Sequence, residues 1–148
     1  MLDEARALYD SALKIARRPN PDFAQAFDLL TRAFDLGSPD AAYALGTWYL
    51  HGRHVGKDLK RAMRFLEIAA DGDVADAHFD LAVSYEKGVG KRKNARRAAR
   101  HYLKAALLGD AQSVFEVGRC YHYGIGVAQD RAIGGIWIDA ARSMGVDD

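Results

Sequence analysis

Residues 41–72 read AAYALGTWYLHGRHVGKDLKRAMRFLEIAADG, and the chain then says nearly the same thing again. Leu45, Leu81 and Val117 stand 36 residues apart, as do Gly46, Ala82 and Gly118, then Tyr49, Tyr85 and Tyr121, then Gly52, Gly88 and Gly124. The pairs Ala69-Ala70 and Ala105-Ala106 keep the same spacing of 36. A fixed period of this size marks stacked supersecondary units, each burying its apolar face against a neighbour.

Within each unit the apolar residues recur at helical spacing. Ala42, Leu45, Gly46 and Tyr49 predict a helix over 39–51, with two small residues where a neighbouring helix comes close. Gly52 ends it, Asp58 can cap the next helix, and Ala62, Phe65, Leu66, Ala69 and Ala70 form that helix's buried stripe up to a stop at Gly72. The second copy predicts helices over 76–87 and 95–108 with Asn94 as cap, and the third predicts 111–123 and 131–143 with Asp130 as cap. The column Asp58, Asn94 and Asp130 has a mechanical cause, because a helix start needs a side-chain acceptor. Upstream, Ala5, Leu8, Tyr9, Ala12, Leu13 and Ala16, with Leu2, predict a helix over 2–17. Phe23, Ala26, Phe27, Leu30, Ala33 and Phe34 predict a second one, started by Asn20-Pro21 and stopped by Gly37. The expected class is all-α, with eight helices in four antiparallel pairs forming one repeat domain over 1–148. The last helix is expected to be one residue short and softened by Gly134-Gly135.

Composition narrows the function classes. At 148 residues there is room for one ordinary domain, and a net charge of +1 argues against a molecule that binds nucleic acid through its overall charge. No apolar run approaches the roughly 18 residues of a membrane span. The start, Met1-Leu2-Asp3-Glu4, lacks a secretory pattern, and the single Cys120 cannot form an internal disulfide, so the expected location is cytoplasmic, with periplasmic or secreted as the alternative if a leader has been trimmed.

Leu45-Gly46-x-x-Tyr49-x-x-Gly52, Tyr121-x-x-Gly124-Ile125-Gly126-Val127-x-x-Asp130 and Ala105-Ala106-x-x-Gly109-Asp110-Ala111 resemble the Sel1-like repeat, a relative of the tetratricopeptide repeat. The resemblance covers residues 37–145, while 2–37 is similar to a divergent, more tetratricopeptide-like pair. Lys91-Arg92-Lys93 and Ala82 depart from the family's pattern without threatening the fold. The resemblance implies a right-handed α/α superhelix with first helices on the concave face. It also implies an adaptor or scaffold that binds other proteins and is not an enzyme.

On that geometry the concave candidates are the aromatic column Tyr43, Phe79 and Phe115, which the family's packing also explains. Neighbours that differ between repeats join them: Thr47, Val83 and Arg119; Leu50, Glu86 and His122; His51, Lys87 and Tyr123. A separate feature is the run Lys91, Arg92, Lys93, Arg96, Arg97, Arg100 and Lys104, seven cations without an acid, which leaves 14 basic against 20 acidic residues elsewhere. It reads first as a solvated face, and functionally as a site for acidic protein or lipid headgroups ahead of nucleic acid.

Catalytic and metal chemistry finds little purchase. The five histidines are scattered, with no Cys pair or H-E-x-x-H, so no metal and no cofactor are expected. Cys120 and His122, two apart on a helix, point in different directions. The glycines of Gly88-Val89-Gly90 and Gly124-Ile125-Gly126 follow no strand and read as turns needing positive φ, not as a phosphate loop. The expected function is a protein-interaction module taking an extended segment or loop of a partner, in one version a small protein that neutralises a toxin-like effector. The alternatives are an anion or nucleic-acid binder through 91–104 and, more remotely, a hydrolase. Ile133, Ile136, Trp137, Ile138 and Met144 crowd the final helix, so it is expected to be covered by a second copy or by the partner.

Overall fold

The computed structural model describes residues 2–147; Met1, Asp148 and the side chain of Leu2, a predicted stripe residue, lie outside the described residues. Among the described residues there are eight helices and no strand: α1 (Leu2–Ala16), α2 (Phe23–Asp35), α3 (Pro39–His51), α4 (Leu59–Asp71), α5 (Ala75–Lys87), α6 (Ala95–Leu107), α7 (Ala111–Tyr123) and α8 (Arg131–Ser143). They fall into two compact units that meet in sequence at Val74 and Ala75. In the first unit α1 pairs with α2 and α3 with α4; in the second α5 pairs with α6 and α7 with α8.

The predicted caps are in place. Asp58, Asn94 and Asp130 each accept a hydrogen bond from a backbone N–H three residues on, at 3.0 Å. Each cap's own N–H donates to the carbonyl of the tyrosine column: Asp58 to Tyr49 at 2.9 Å, Asn94 to Tyr85 at 2.9 Å and Asp130 to Tyr121 at 2.8 Å. One recurring residue thus starts a second helix and ties it to the end of the first. Such a cap stabilises by about 1 kcal/mol.

Two local readings need correction, the start of α2 and the length of α8. The second helix begins at Phe23 with Asp22, not Asn20, as its cap, Asp22 accepting from the Gln25 N–H at 3.0 Å. Gly72 stops α4 as expected, as its C-cap, with φ −92°, and the left-handed φ of 64° falls on Asp73. Gly72 is small because a Cβ there would sit 2.5 Å from the Pro39 ring. The last helix, α8, is not shortened: it has 13 residues, as α4 and α6 do. Its Gly134 is buried, and a Cβ there would meet the Gly118 oxygen and the His122 nitrogen at 2.9 Å. Gly134, facing Gly118, therefore serves the contact between α7 and α8, and Gly135 does not.

Each unit has its own core. Ala12, Ile15, Ala26, Leu30, Ala33, Ala41, Leu45 and Trp48 fill the first, with Phe23, Phe27 and Phe34 packed against them. Tyr85, Ala98, Ala99, Tyr102, Val114, Val117, Cys120 and Ala141 dominate the second. The alanines let helices approach, and the aromatic rings fill what remains.

Candidate functional site

In the first unit the faces of α1 and α3 form a groove of about 280 Å³, walled by Tyr9, Leu13, Tyr43, Thr47 and Trp48 and by the arginines Arg17 and Arg53. Tyr43 and Thr47 are half-buried there, one helical turn apart, and the Thr47 hydroxyl donates to the Ala44 carbonyl at 2.8 Å. The Arg53 guanidinium lies 5.7 Å from the centroid of the Phe23 ring. Leu50 is half-buried and His51 exposed, and neither lines the groove. An apolar trough with tyrosine hydroxyls and guanidinium groups at hand suits an extended segment with one apolar side chain and a polar flank.

In the second unit the predicted residues of α5 and α7 meet each other. Arg119 Nη2 bonds Glu86 Oε1 at 2.7 Å and its Nε bonds Glu116 Oε2 at 2.6 Å. The Tyr102 hydroxyl donates to the same Glu86 oxygen at 2.9 Å. Burial would raise the Glu86 carboxyl, but the bonds from Arg119 and Tyr102 outweigh it and hold it below the ordinary carboxylate range. Burial and the Glu86 bond both push the Tyr102 hydroxyl upward. Glu86 and Arg119 thus clamp two consecutive repeats together. Glu116 and Tyr102 belong to the same network. The helical spacing of Glu116 and Arg119 was visible in the sequence, but the Arg119–Glu86 span of 33 residues follows no column.

The other candidates of this unit divide by burial. Phe79 and Phe115 are half-buried against the core, Phe79 edge-on to Tyr102 at 5.8 Å, and Val83 packs there too. Lys87 and Tyr123 are exposed, Tyr123 at 66%, with the half-buried His122 ring 4.6 Å from it.

Of the basic run, all but the half-buried Lys91 are exposed. Arg97 lies over the Tyr85 ring at 5.8 Å and Lys91 at 6.0 Å, so these two cations are held by an aromatic face. Arg96 and Arg100 line a cleft between α6 and α7 instead. Cys120 is buried, and burial pushes its thiol up to about 11, which leaves it a poor nucleophile. Among the described residues no three His, Cys, Asp or Glu side chains gather where they could hold a metal ion. No helix among the described residues is long and apolar enough to cross a membrane. On α8, Ile136 is 69% exposed, Ile133 and Met144 are exposed, and Trp137 is half-buried against the core of its unit.

The Sel1 repeat profile matches residues 18–38, 39–74, 75–110 and 111–146. The chain belongs to the Sel1 repeat family. The first match reaches α2, upstream of the three repeats legible as columns, and the seam between the second and third matches is the boundary of the two compact units. Sel1 repeat proteins serve as protein-interaction modules and are typically non-enzymatic. Solved structures agree on the helical-repeat fold. A Sel1 repeat protein from Oxalobacter formigenes matches with a TM-score of 0.89 at 24% identity, over 97% of this chain and 60% of its own. A protective antigen of uropathogenic Escherichia coli with the same repeat fold matches with a TM-score of 0.90 at 26% identity, over 97% of this chain and 31% of its own. An immunity protein from Pseudomonas aeruginosa matches with a TM-score of 0.66 at 26% identity, over 95% of this chain and 53% of its own. The chain thus spans less than two thirds of the length of each. No curated protein matches at a significant level.

Proposed function

We propose that this Sel1 repeat chain is a non-enzymatic module that holds an extended segment or protruding loop of one dedicated partner protein on its first-helix faces, and neutralises or regulates that partner. The observation that carries the reading is the groove between α1 and α3, where Tyr43 and Thr47 stand beside Tyr9, Leu13 and Trp48. A rigid aromatic wall gives large contact area at small entropic cost, and the nearby Arg17 and Arg53 supply a polar rim. The neutralising version draws support from the similarity to an immunity protein. A single buried Cys120 suits a reducing, cytoplasmic setting. Contact with a second copy through the exposed Ile133, Ile136 and Met144 of α8 belongs to the same proposal.

Affinity capture from the native cell, run in parallel with the natural chain and Thr47→Arg, tests it. One protein retained by the natural chain and lost with the variant, then rebinding in purified form, is the expected result. A partner that ignores Thr47→Arg would move the site elsewhere, and capture of no protein would end the reading.

A further inference from the structure

Positions 72 residues apart are equivalent across two repeats, and one such set differs sharply in size. In the first unit Phe27, Trp48 and His54 form a ring cluster, with centroids 5.8 Å apart for Phe27–Trp48, 5.6 Å for Phe27–His54 and 6.2 Å for Trp48–His54. Their counterparts in the second unit are Ala99, Cys120 and Gly126. All three line a cleft of about 190 Å³ between α6 and α7, whose apolar walls also include Leu103, Val117 and Val127. Three rings are gone, and the backbone has not closed over their place. The loop carrying Gly126 already touches α6, so that a Cβ at Gly126 would clash with the Ala95 carbonyl. The space therefore cannot shrink by drawing the loop further in. An apolar cavity of about 150 Å³ holds a benzene ring, so this cleft has room for one aromatic side chain.

The rim changes with the floor. Ala24 and Asp28 of the first unit correspond to Arg96 and Arg100 of the second. Both arginines line the cleft and are exposed, and among the described residues neither is paired with a carboxylate. An aromatic-sized apolar hole beneath two free guanidinium groups is complementary to an aromatic ring flanked by carboxylates, which guanidinium binds in a bidentate fork. A nucleotide's phosphate would fit the charge, but its base would not fit the floor: Ala99, Leu103, Val117 and Val127 offer the polar edge nothing to bond, and burying that edge is costly.

We propose that the cleft between α6 and α7 is a second docking site, which takes an acidic segment of a partner protein by inserting one aromatic side chain over Ala99, Val117 and Cys120 and pairing its carboxylates with Arg96 and Arg100. The partner's ring occupies the place that Phe27 and Trp48 fill in the first unit, with the exposed His54 at its edge. This site goes beyond the groove of α1 and α3, and the two readings fail separately.

The probe is a fluorescein-labelled peptide with one phenylalanine between two Asp-Glu-Asp arms, titrated by anisotropy at low and physiological salt. Saturable binding is expected, weakened at least about tenfold when the peptide's phenylalanine becomes alanine, as for a central anchor. Ala99→Phe, which restores a first-unit ring, should abolish binding, and the exposed pair Arg96→Glu with Arg100→Glu should weaken it by about tenfold or more while the melting curve stays put. Thr47→Arg should leave it unchanged. The arginine pair carries the test if Ala99→Phe folds poorly. Equal affinity for the phenylalanine and alanine peptides would reduce the site to diffuse charge and overturn the proposal. So would tighter binding of a single-stranded oligonucleotide at the same salt, or a dimer of the natural chain that Ala99→Phe dissociates.

Discussion

Tyr49 in the first unit lies flat against Phe65, 5.7 Å between centroids at 7°, and Arg61 stands over its ring at 5.1 Å. Tyr85 in the second lies flat against His101, 5.7 Å at 9°, and Arg97 stands over it at 5.8 Å. The repeat's backbone sets the distance and the angle, whether the stacking ring is hydrocarbon or imidazole. What differs is the surroundings. Tyr49 is half-buried, whereas Tyr85 is 8% exposed within the core of its unit, and its partner His101 meets His78 with ring nitrogens 2.9 Å apart. The third copy drops the device: Ile133 stands where Arg61 and Arg97 do, and Trp137 where Phe65 and His101 do. Periodicity thus fixes where a side chain goes, and each copy then chooses what it does there.

Truncating the two tyrosines separates these levels. Tyr85→Ala should cost about 3–5 kcal/mol, the range for a large-to-small aromatic change in a core. Tyr49→Ala, with the same stacking but a ring that is only partly buried, should cost about 2 kcal/mol. Urea denaturation of both variants checks this. Equal losses would mean that stacking geometry, and not burial, sets the energy.

The adjacent glycines of α8 give a sharper contrast within one dipeptide. Gly134→Ala forces a methyl against the backbone of α7 and should cost about 1–3 kcal/mol, as overpacking does. A Cβ on Gly135 meets nothing within 4 Å, so Gly135→Ala should gain up to about 1 kcal/mol from helix propensity alone. Thermal melts that move in the same direction for both would refute the close α7–α8 contact.

A smaller, pH-dependent effect belongs to the clamp between α5 and α7. The Glu86 carboxyl lies below its ordinary value in the folded chain, so its contribution is complete above the unfolded value of about 4.3 and disappears as pH falls toward the folded one. The pair is partly exposed, so Glu86→Gln should cost about 1 kcal/mol or less near neutrality. The difference from the natural chain should vanish in acid. A gap that widens below pH 4 would reverse the sign and show that Glu86 is strained, not stabilised.

Helix number, helix order and the three caps at 58, 94 and 130 were legible because each recurs, and a column multiplies a weak local signal. Single events read less well. Asn20-Pro21 imitates a cap and first turn, yet Asp22 offers the same carbonyl chemistry two residues later, and sequence cannot rank them. Gly72 reads as a helix stop and is one, but its second constraint, the Pro39 ring 33 residues away, shows only in the fold. Of the candidate surface, Tyr43 and Thr47 fall in a groove, while Glu86 and Arg119 turn toward each other. Burial of that pair depends on how repeats stack, which no column records. The cleft between α6 and α7 had a signal in the sequence, but only at twice the period, in the exchange of Phe27, Trp48 and His54 for Ala99, Cys120 and Gly126.

The least perturbing change tests the missing third copy of the tyrosine device. Where the first two copies present a guanidinium over a ring, α8 presents Ile133 and Ile136 to solvent. Ile136 is 69% exposed, so little apolar burial is at stake within the chain, and Ile136→Glu should shift stability by no more than about 0.5 kcal/mol. Association is a different quantity. If α8 meets a second copy, a buried carboxylate in a two-fold contact faces its own symmetry mate, and like charges there cost far more than the lost isoleucine. Light scattering of the natural chain at micromolar concentration should then give a dimer and the variant a monomer, with melts that coincide once both are diluted until the natural chain is monomeric. A natural chain that is already monomeric at that concentration would remove the second copy and leave Ile133 and Ile136 as an ordinary exposed helix face.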